Sequence, residues 1–149
     1  MTKGTYILCM RLDEQREITI GKLGTFLFPA GYYLYVGSAL GPGGLEARLA
    51  HHLASQLARE RPYWHIDYLL PYVRLVEVWS VTSDQRLECR LAQMVLGMPG
   101  AQVVAPGFGS SDCRCPTHLV YFKTKPTTEA LRAKCHPHAL TITTLSSPA

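Results

Sequence analysis

The stretch Gly31-Tyr32-Tyr33-Leu34-Tyr35-Val36-Gly37-Ser38-Ala39 reads as a strand that closes at Gly37. Tyr and Val favour an extended, half-buried backbone. Leu40-Gly41-Pro42-Gly43-Gly44 breaks the strand and opens a helix near Leu45. A strand end, a glycine-rich turn and a helix N-terminus therefore meet within about a dozen residues, and backbone N–H groups at such a junction suit an anion such as phosphate. The helix then presents Arg48, His51 and His52. No Gly-Lys-Ser/Thr follows the glycines, which argues against a nucleotide-binding P-loop. A plain strand, a plain turn and a solvated helix face are the simpler reading of the same residues.

Outward from this stretch, 149 residues suit one domain with a real hydrophobic core. No apolar run reaches the length of a membrane span. Met1-Thr2-Lys3-Gly4 leads directly into a strand, so neither export nor membrane association is expected. The net charge of +4 permits nucleic-acid binding without requiring it. Five scattered cysteines, an odd number, predict reduced thiols in a cytoplasm.

Gly4 to Arg11 predicts a buried strand, Arg16 to Ile20 a half-exposed one, and Thr25 to Phe28 a third. With Tyr32 to Val36 they predict a small, mostly antiparallel sheet. Leu45 to Leu57 is the clearest helix. Its leucines and Ala50 and Ala54 mark a core face, while Arg48, His51, His52, Ser55 and Arg59 form an opposite stripe within about 60° of Arg48. Trp64 to Leu70 predicts a short helix closed by Pro71, and Val73 to Val81 a strand. Ser83 or Asp84 would cap a helix over Gln85 to Met98. Glu88 lies at the edge of that helix's apolar stripe, where a carboxylate is costly unless paired, hydrogen-bonded or metal-bound. Thr117 to Lys123 predicts a last strand. The whole is an α/β domain of α+β type over residues 1–124, a central sheet flanked by helices. Residues 125–149, rich in Pro, Thr, Lys and Ser, are expected to form a flexible tail with at most one helical turn near Glu129 to Lys134.

The order of elements and the motifs resemble the GIY-YIG nuclease superfamily. Gly4-Thr5-Tyr6 is similar to its first tripeptide and Tyr35-Val36-Gly37 to its second. Arg48-Leu49 with a following histidine, and Glu88 opening a later helix, match its other signatures. Gly-Tyr-Tyr-x-Tyr-Val-Gly-Ser-Ala, Trp-His-Ile-Asp-Tyr-Leu-Leu and Gly-Phe-Gly-Ser-Ser-Asp-Cys-x-Cys-x-x-His-Leu, at residues 31–39, 64–70 and 107–119, resemble a branch also found fused to endonuclease III. The resemblance covers about residues 4 to 123. It implies a metal-dependent endonuclease acting on DNA, in repair or processing. Tyr6 and Tyr35 would position or deprotonate the attacking water, and Arg48 would hold the scissile phosphate. Glu88 would bind Mg²⁺ or Mn²⁺, and His52 would assist proton transfer. Gly37, Ser38, Arg48, His51 and Arg59 would contact the nucleic acid. The alternative is a nucleic-acid-binding module of the same fold that does not cut. A third reading is a structural or zinc-stabilised interaction domain.

Three features set this chain apart. Tyr6 and Tyr35 are 29 residues apart, so a hairpin over residues 11–30 must loop out if both are to share a site. The chain contains no asparagine, leaving Asp112, Ser111 or no residue at the place of the late asparagine many relatives carry. Cys113, Cys115 and His118 lack the spacing of a common zinc finger, and a fourth ligand would have to be Asp112, His65 or a distant cysteine. Structural zinc is therefore not expected. His65 and Asp67 fit either a helix anchor or the cleft beside Arg48.

Overall fold

The computed structural model of the chain describes residues 2–56, 62, 64–110 and 113–144. Strands β1 (Gly4–Leu12), β4 (Gly31–Ala39), β5 (Arg74–Thr82), β6 (Leu119–Phe122) and β7 (Thr141–Thr144) form one antiparallel sheet in the order β6-β4-β1-β5-β7. Strands β2 (Arg16–Ile20) and β3 (Gly24–Phe28) pair only with each other. The excursion between β1 and β4 is therefore a separate hairpin. It lets β1 and β4 pair directly despite the residues between them, with Tyr6 opposite Gly37 and Leu8 opposite Tyr35.

Alternation along the central strands divides the core in two. Tyr6, Leu8, Met10, Tyr33 and Tyr35 face one side, where the β2–β3 hairpin, α1 (Gly44–Gln56) and α2 (His65–Leu69) pack. Ile7, Cys9, Leu34, Val36 and Trp79 face the other, beneath α3 (Glu88–Leu96) and α4 (Thr128–Cys135). The β1–β5 register shifts between Cys9 and Met10. No helix among the described residues is long and apolar enough to cross a membrane.

Several boundaries differ from expectation. Helix α3 starts at Glu88, not Gln85, and its N-cap is Leu87 with no side-chain bond; the Ser83 hydroxyl accepts from the Gln85 N–H instead. Pro71 sits inside a 3₁₀ turn over Leu70–Tyr72 that continues α2. The larger difference is at the C-terminus. Residues expected as a flexible tail form α4, capped by the Thr127 hydroxyl, and β7, which pairs with β5. Leu131 and Cys135, one turn apart, are fully buried against the α3 side of the core. Two anchors hold the helix although the surrounding composition is polar.

Leu131→Ala should therefore destabilise the domain by about 2–5 kcal/mol. Chemical denaturation of the variant checks this; an unchanged midpoint would mean that α4 does not contribute to the core.

Candidate functional site

Tyr6 and Gly37 face each other across β1 and β4, and the Tyr6 ring fills the space that a side chain at 37 would need. Any Cβ there would collide with the Tyr6 hydroxyl. Gly37 is buried and lines neither of the two recesses at the site, and its lack of a side chain admits Tyr6. The Tyr6 hydroxyl lies 2.6 Å from Nε2 of His52 on α1. Burial holds the Tyr6 phenol well above its ordinary value, with Tyr35 adding to the effect. Burial also lowers His52 to about 4. Both groups are therefore neutral at pH 7, and the bond joins a phenol to a neutral imidazole. His52 Nδ1 is buried and has no partner among the described residues.

The Tyr35 ring stands 6.4 Å from that of Tyr6 and edge-on to His52 and Phe108. Burial raises its phenol as well, with Glu88 contributing. Its hydroxyl makes no hydrogen bond among the described residues. The two tyrosines share a face, but only Tyr6 is engaged.

Helix α1 docks differently from its helical wheel. His52, expected on the polar stripe, is 1 % exposed, while Leu53, expected in the core, is 49 % exposed. The buried line runs through Leu45 and His52, with Arg48 and Leu49 half-buried beside it. The Tyr6 hydroxyl gives the imidazole the partner that makes its burial affordable. Core face and chemical face therefore coincide.

The N-terminus of α1 does not serve as the anion site expected from the glycine-rich turn. Gly44, at φ +62°, passes the Thr2 carbonyl so closely that a Cβ would overlap it. The Leu45 N–H donates to that carbonyl at 2.7 Å, and the Gly44 and Ala47 N–H groups donate to Gly41 and Gly43. The Glu46 carboxylate accepts from the Thr2 N–H at 2.8 Å and from its own N–H. The first turn is spent on fastening the start of the chain.

The cationic side chain nearest this turn is held differently. The Arg48 guanidinium stacks 4.2 Å over the Trp64 ring and forms no ion pair among the described residues. Stacking of this kind holds a guanidinium in place while leaving its edge free to bond. Trp64 is itself placed by Asp67, which accepts from the Trp64 N–H at 2.9 Å, and by the His51 ring packed edge-on against it. His51 Nε2 meets both Asp67 oxygens at 3.1 and 3.2 Å. Asp67 thus anchors α2 and orients His51. His65 Nδ1 accepts from the Gly109 N–H at 2.8 Å, so it holds the 107–118 loop against α2; burial lowers His65, in keeping with an accepting, neutral ring.

Tyr6, Tyr35, Ser38, Arg48 and Glu88 line one open cleft of about 390 Å³, together with Trp64, Arg86 and Gly109. A smaller recess of about 170 Å³ adjoins it through Gly41, Arg48 and Trp64, and contains His51. Glu88, the first residue of α3, is half-buried; among the described residues it pairs only with the exposed Arg86, 4.0 Å away. A partly desolvated carboxylate with only this loose partner suits a hard divalent cation, since Mg²⁺ is commonly held by one or two carboxylates plus water and phosphate oxygens. Arg59, Ser111 and Asp112 lie outside the described residues. Sequence reasoning did not assign Trp64 to the site and left Asp67 between a helix anchor and the cleft beside Arg48, although the two sit together in the Trp-His-Ile-Asp motif. It also missed Cys89. This cysteine directly follows Glu88, and the fold brings it against Cys113, Cys115 and His118.

Such a site, on a five-stranded antiparallel sheet flanked by helices, defines an α+β domain with a tyrosine, arginine and glutamate cleft. The family described as Domain of unknown function DUF123 matches residues 5–140, and the chain belongs to it. That match extends through α4, beyond the expected domain boundary at residue 124. No curated protein and no solved structure matches the chain.

The buried His52 makes a pH prediction. Folded, it takes a proton only near pH 4; unfolded, near 6.5. Between those values the unfolded chain binds more protons, so stability is greatest above the window and falls as pH drops through it. The loss due to His52 is of order 3 kcal/mol. His65 and His118 are displaced the same way and act equally in a His52→Gln variant. Urea unfolding at pH 7 and pH 4 should show wild type losing more than the variant. Parallel losses would place His52 in water.

Proposed function

We propose that the chain is a metal-dependent endonuclease that hydrolyses phosphodiester bonds in DNA. The observation that carries this reading is the cleft itself. Tyr6 from β1, Tyr35 from β4, Arg48 from α1 and Glu88 from α3 line one opening, and Tyr6 is already bonded to a neutral imidazole. These are the residues that the resemblance to GIY-YIG nucleases singles out.

The reaction needs a water deprotonated, charge on the phosphoryl oxygens stabilised and a leaving oxygen accommodated. Both tyrosines are protonated at neutral pH, so neither is a ready-made base. Tyr6 instead works as a relay. Its oxygen accepts the proton of the attacking water while its own proton passes to His52 Nε2. Arg48 and His51 help to depress His52, whereas Asp67 opposes them. An anionic phosphate on Arg48 would offset part of that depression when the imidazole must take up charge. The Tyr35 hydroxyl, with no competing bond, is placed to donate to the water or to a phosphate oxygen. Arg48 presents its free guanidinium edge to the phosphate, where negative charge grows in the transition state. Glu88 would hold Mg²⁺ or Mn²⁺, and the ion would supply Lewis-acid stabilisation of the phosphoryl oxygens and leaving group. Ser38, on the cleft wall, adds a further contact for the strand, and His51 in the adjoining recess another. Cysteines with no disulfide among them accord with a reducing compartment such as the cytoplasm.

Nicking of supercoiled and branched DNA across a Mg²⁺ and Mn²⁺ series tests the reading. Arg48→Ala and Glu88→Ala should each reduce nicking by at least about a hundredfold, the scale of losing one transition-state contact, with circular dichroism unchanged. Arg48→Ala should also weaken DNA binding and lower its dependence on salt. Glu88→Ala should act through the metal requirement. Wild-type protein that binds DNA with a salt slope but never nicks it would favour the non-cutting binding module.

A further inference from the structure

Four metal-ligating side chains converge behind the cleft. Cys89 comes from the first turn of α3, and Cys113, Cys115 and His118 from the connection between α3 and β6. Their ligand atoms all lie within 4.8 Å of one another. His118 Nε2 is 3.4 Å from Cys113 Sγ and 3.7 Å from Cys89 Sγ. A tetrahedral zinc ion, with Zn–S of about 2.3 Å and Zn–N of about 2.0–2.1 Å, requires ligand–ligand edges of roughly 3.4–3.8 Å. The two His118 separations fall in that range, and all four ligand atoms gather around one point. All three cysteines are free thiols, so no disulfide accounts for the cluster.

The local architecture supports the same conclusion. The described residues of the long connection 97–118 include no helix or strand. A connection of that length inside a compact domain ordinarily needs a function or a fastening. Backbone bonds from Gly107 to Pro116 and from His118 to Phe108 fold it on itself, and the His118 carbonyl accepts from the Val36 N–H. The loop is thereby closed internally and fixed to β4. The four ligands join it to α3 as well.

We propose that Cys89, Cys113, Cys115 and His118 bind one zinc ion as a closed structural site. Three thiolates and one imidazole in a single shell are a donor set that selects zinc over hard cations such as Mg²⁺. All four positions are filled by protein, so the ion is structural and not a Lewis acid for substrate. The missing fourth ligand, which the Cys-x-Cys-x-x-His spacing alone did not supply, is Cys89. The ion clamps the first turn of α3, where Glu88 is the adjacent residue, to the loop whose Gly109 packs against Tyr35. The zinc site stands whether or not the cleft cuts DNA.

The test begins with elemental analysis of protein purified in reducing buffer without added metal. One zinc per chain is expected, lost in the Cys89→Ser and Cys115→Ser variants. Because a serine variant can fail to fold, the wild-type chain provides a second measurement. Zinc removed by a chelator under denaturing conditions is replaced by Co²⁺ on refolding. The product should show tetrahedral Co²⁺ absorption with thiolate charge-transfer bands, abolished by one equivalent of Zn²⁺. Chelated protein should melt at lower temperature and be cleaved by protease within residues 97–118. Wild-type protein that neither retains zinc nor gives thiolate–Co²⁺ bands would overturn the proposal. So would a full equivalent of zinc on a folded Cys89→Ser, Cys113→Ser, Cys115→Ser variant, or a disulfide joining two of these cysteines in reducing buffer.

Discussion

The hydrogen bond between Tyr6 and His52 is the constraint on which the rest of the site depends. It joins the central strand to α1 inside the core, where an unpartnered phenol or imidazole would cost about 1–3 kcal/mol. The bond exists only because the residue facing Tyr6 on β4 is glycine. From it follows the rotation of α1 that buries His52, exposes Leu53 and carries Arg48 to the cleft wall. Stability and chemistry therefore bear on the same atoms. The buried pair is neutral at pH 7, which suits the relay proposed above.

The same economy appears at the start of α1. A glycine-rich turn before a helix often offers bare N–H groups to phosphate, yet here the turn admits the chain's own backbone. The Thr2 carbonyl and the Glu46 carboxylate occupy the first turn, drawing the beginning of β1 onto the helix. The proposed anion contact lies one turn along, at a guanidinium stacked on an indole. The exchange has a physical consequence. Backbone donors at a helix end recognise any small anion, whereas a planar fork on a fixed aromatic plate is directional.

What was legible in the residues follows from how local each signal is. Four strands of the main sheet, β1, β4, β5 and β6, together with α1, α3 and the two tyrosine motifs, could be read because their apolar patterns are continuous, whereas β7 could not. So could the requirement that residues 11–30 loop out, which the separate β2–β3 hairpin meets. The orientation of α1 could not be read, because a helical wheel ranks histidine as polar and cannot see the Tyr6 hydroxyl that makes its burial favourable. Helix α4 was hidden because its attachment rests on Leu131 and Cys135 within an otherwise polar segment. Two apolar residues one turn apart are too few to outweigh the Pro, Thr and Lys around them. The fourth member of the thiol cluster lies 24 residues before Cys113, and only the packing of α3 on β4 and β6 brings it into reach.

The cleft draws residues from both faces of a divided core. Tyr6, Tyr35 and Arg48 belong to the side on which α1 and α2 pack, whereas Glu88 begins a helix that packs on the opposite side. Strand alternation positions the two tyrosines relative to each other, but it says nothing about how far α3 stands from them. That distance must be set by whatever ties the start of α3 to the near side. The Arg86–Glu88 pair is too exposed for the task, since a loose surface ion pair contributes little. The connection over residues 97–118 is better placed. It is bonded to β4 through His118 and Val36 and to α2 through Gly109 and His65, and it returns to Cys89 through three ligand-type side chains. A cleft assembled across a sheet in this way needs a fastening at its edge, and the cysteine–histidine cluster lies where that fastening is required.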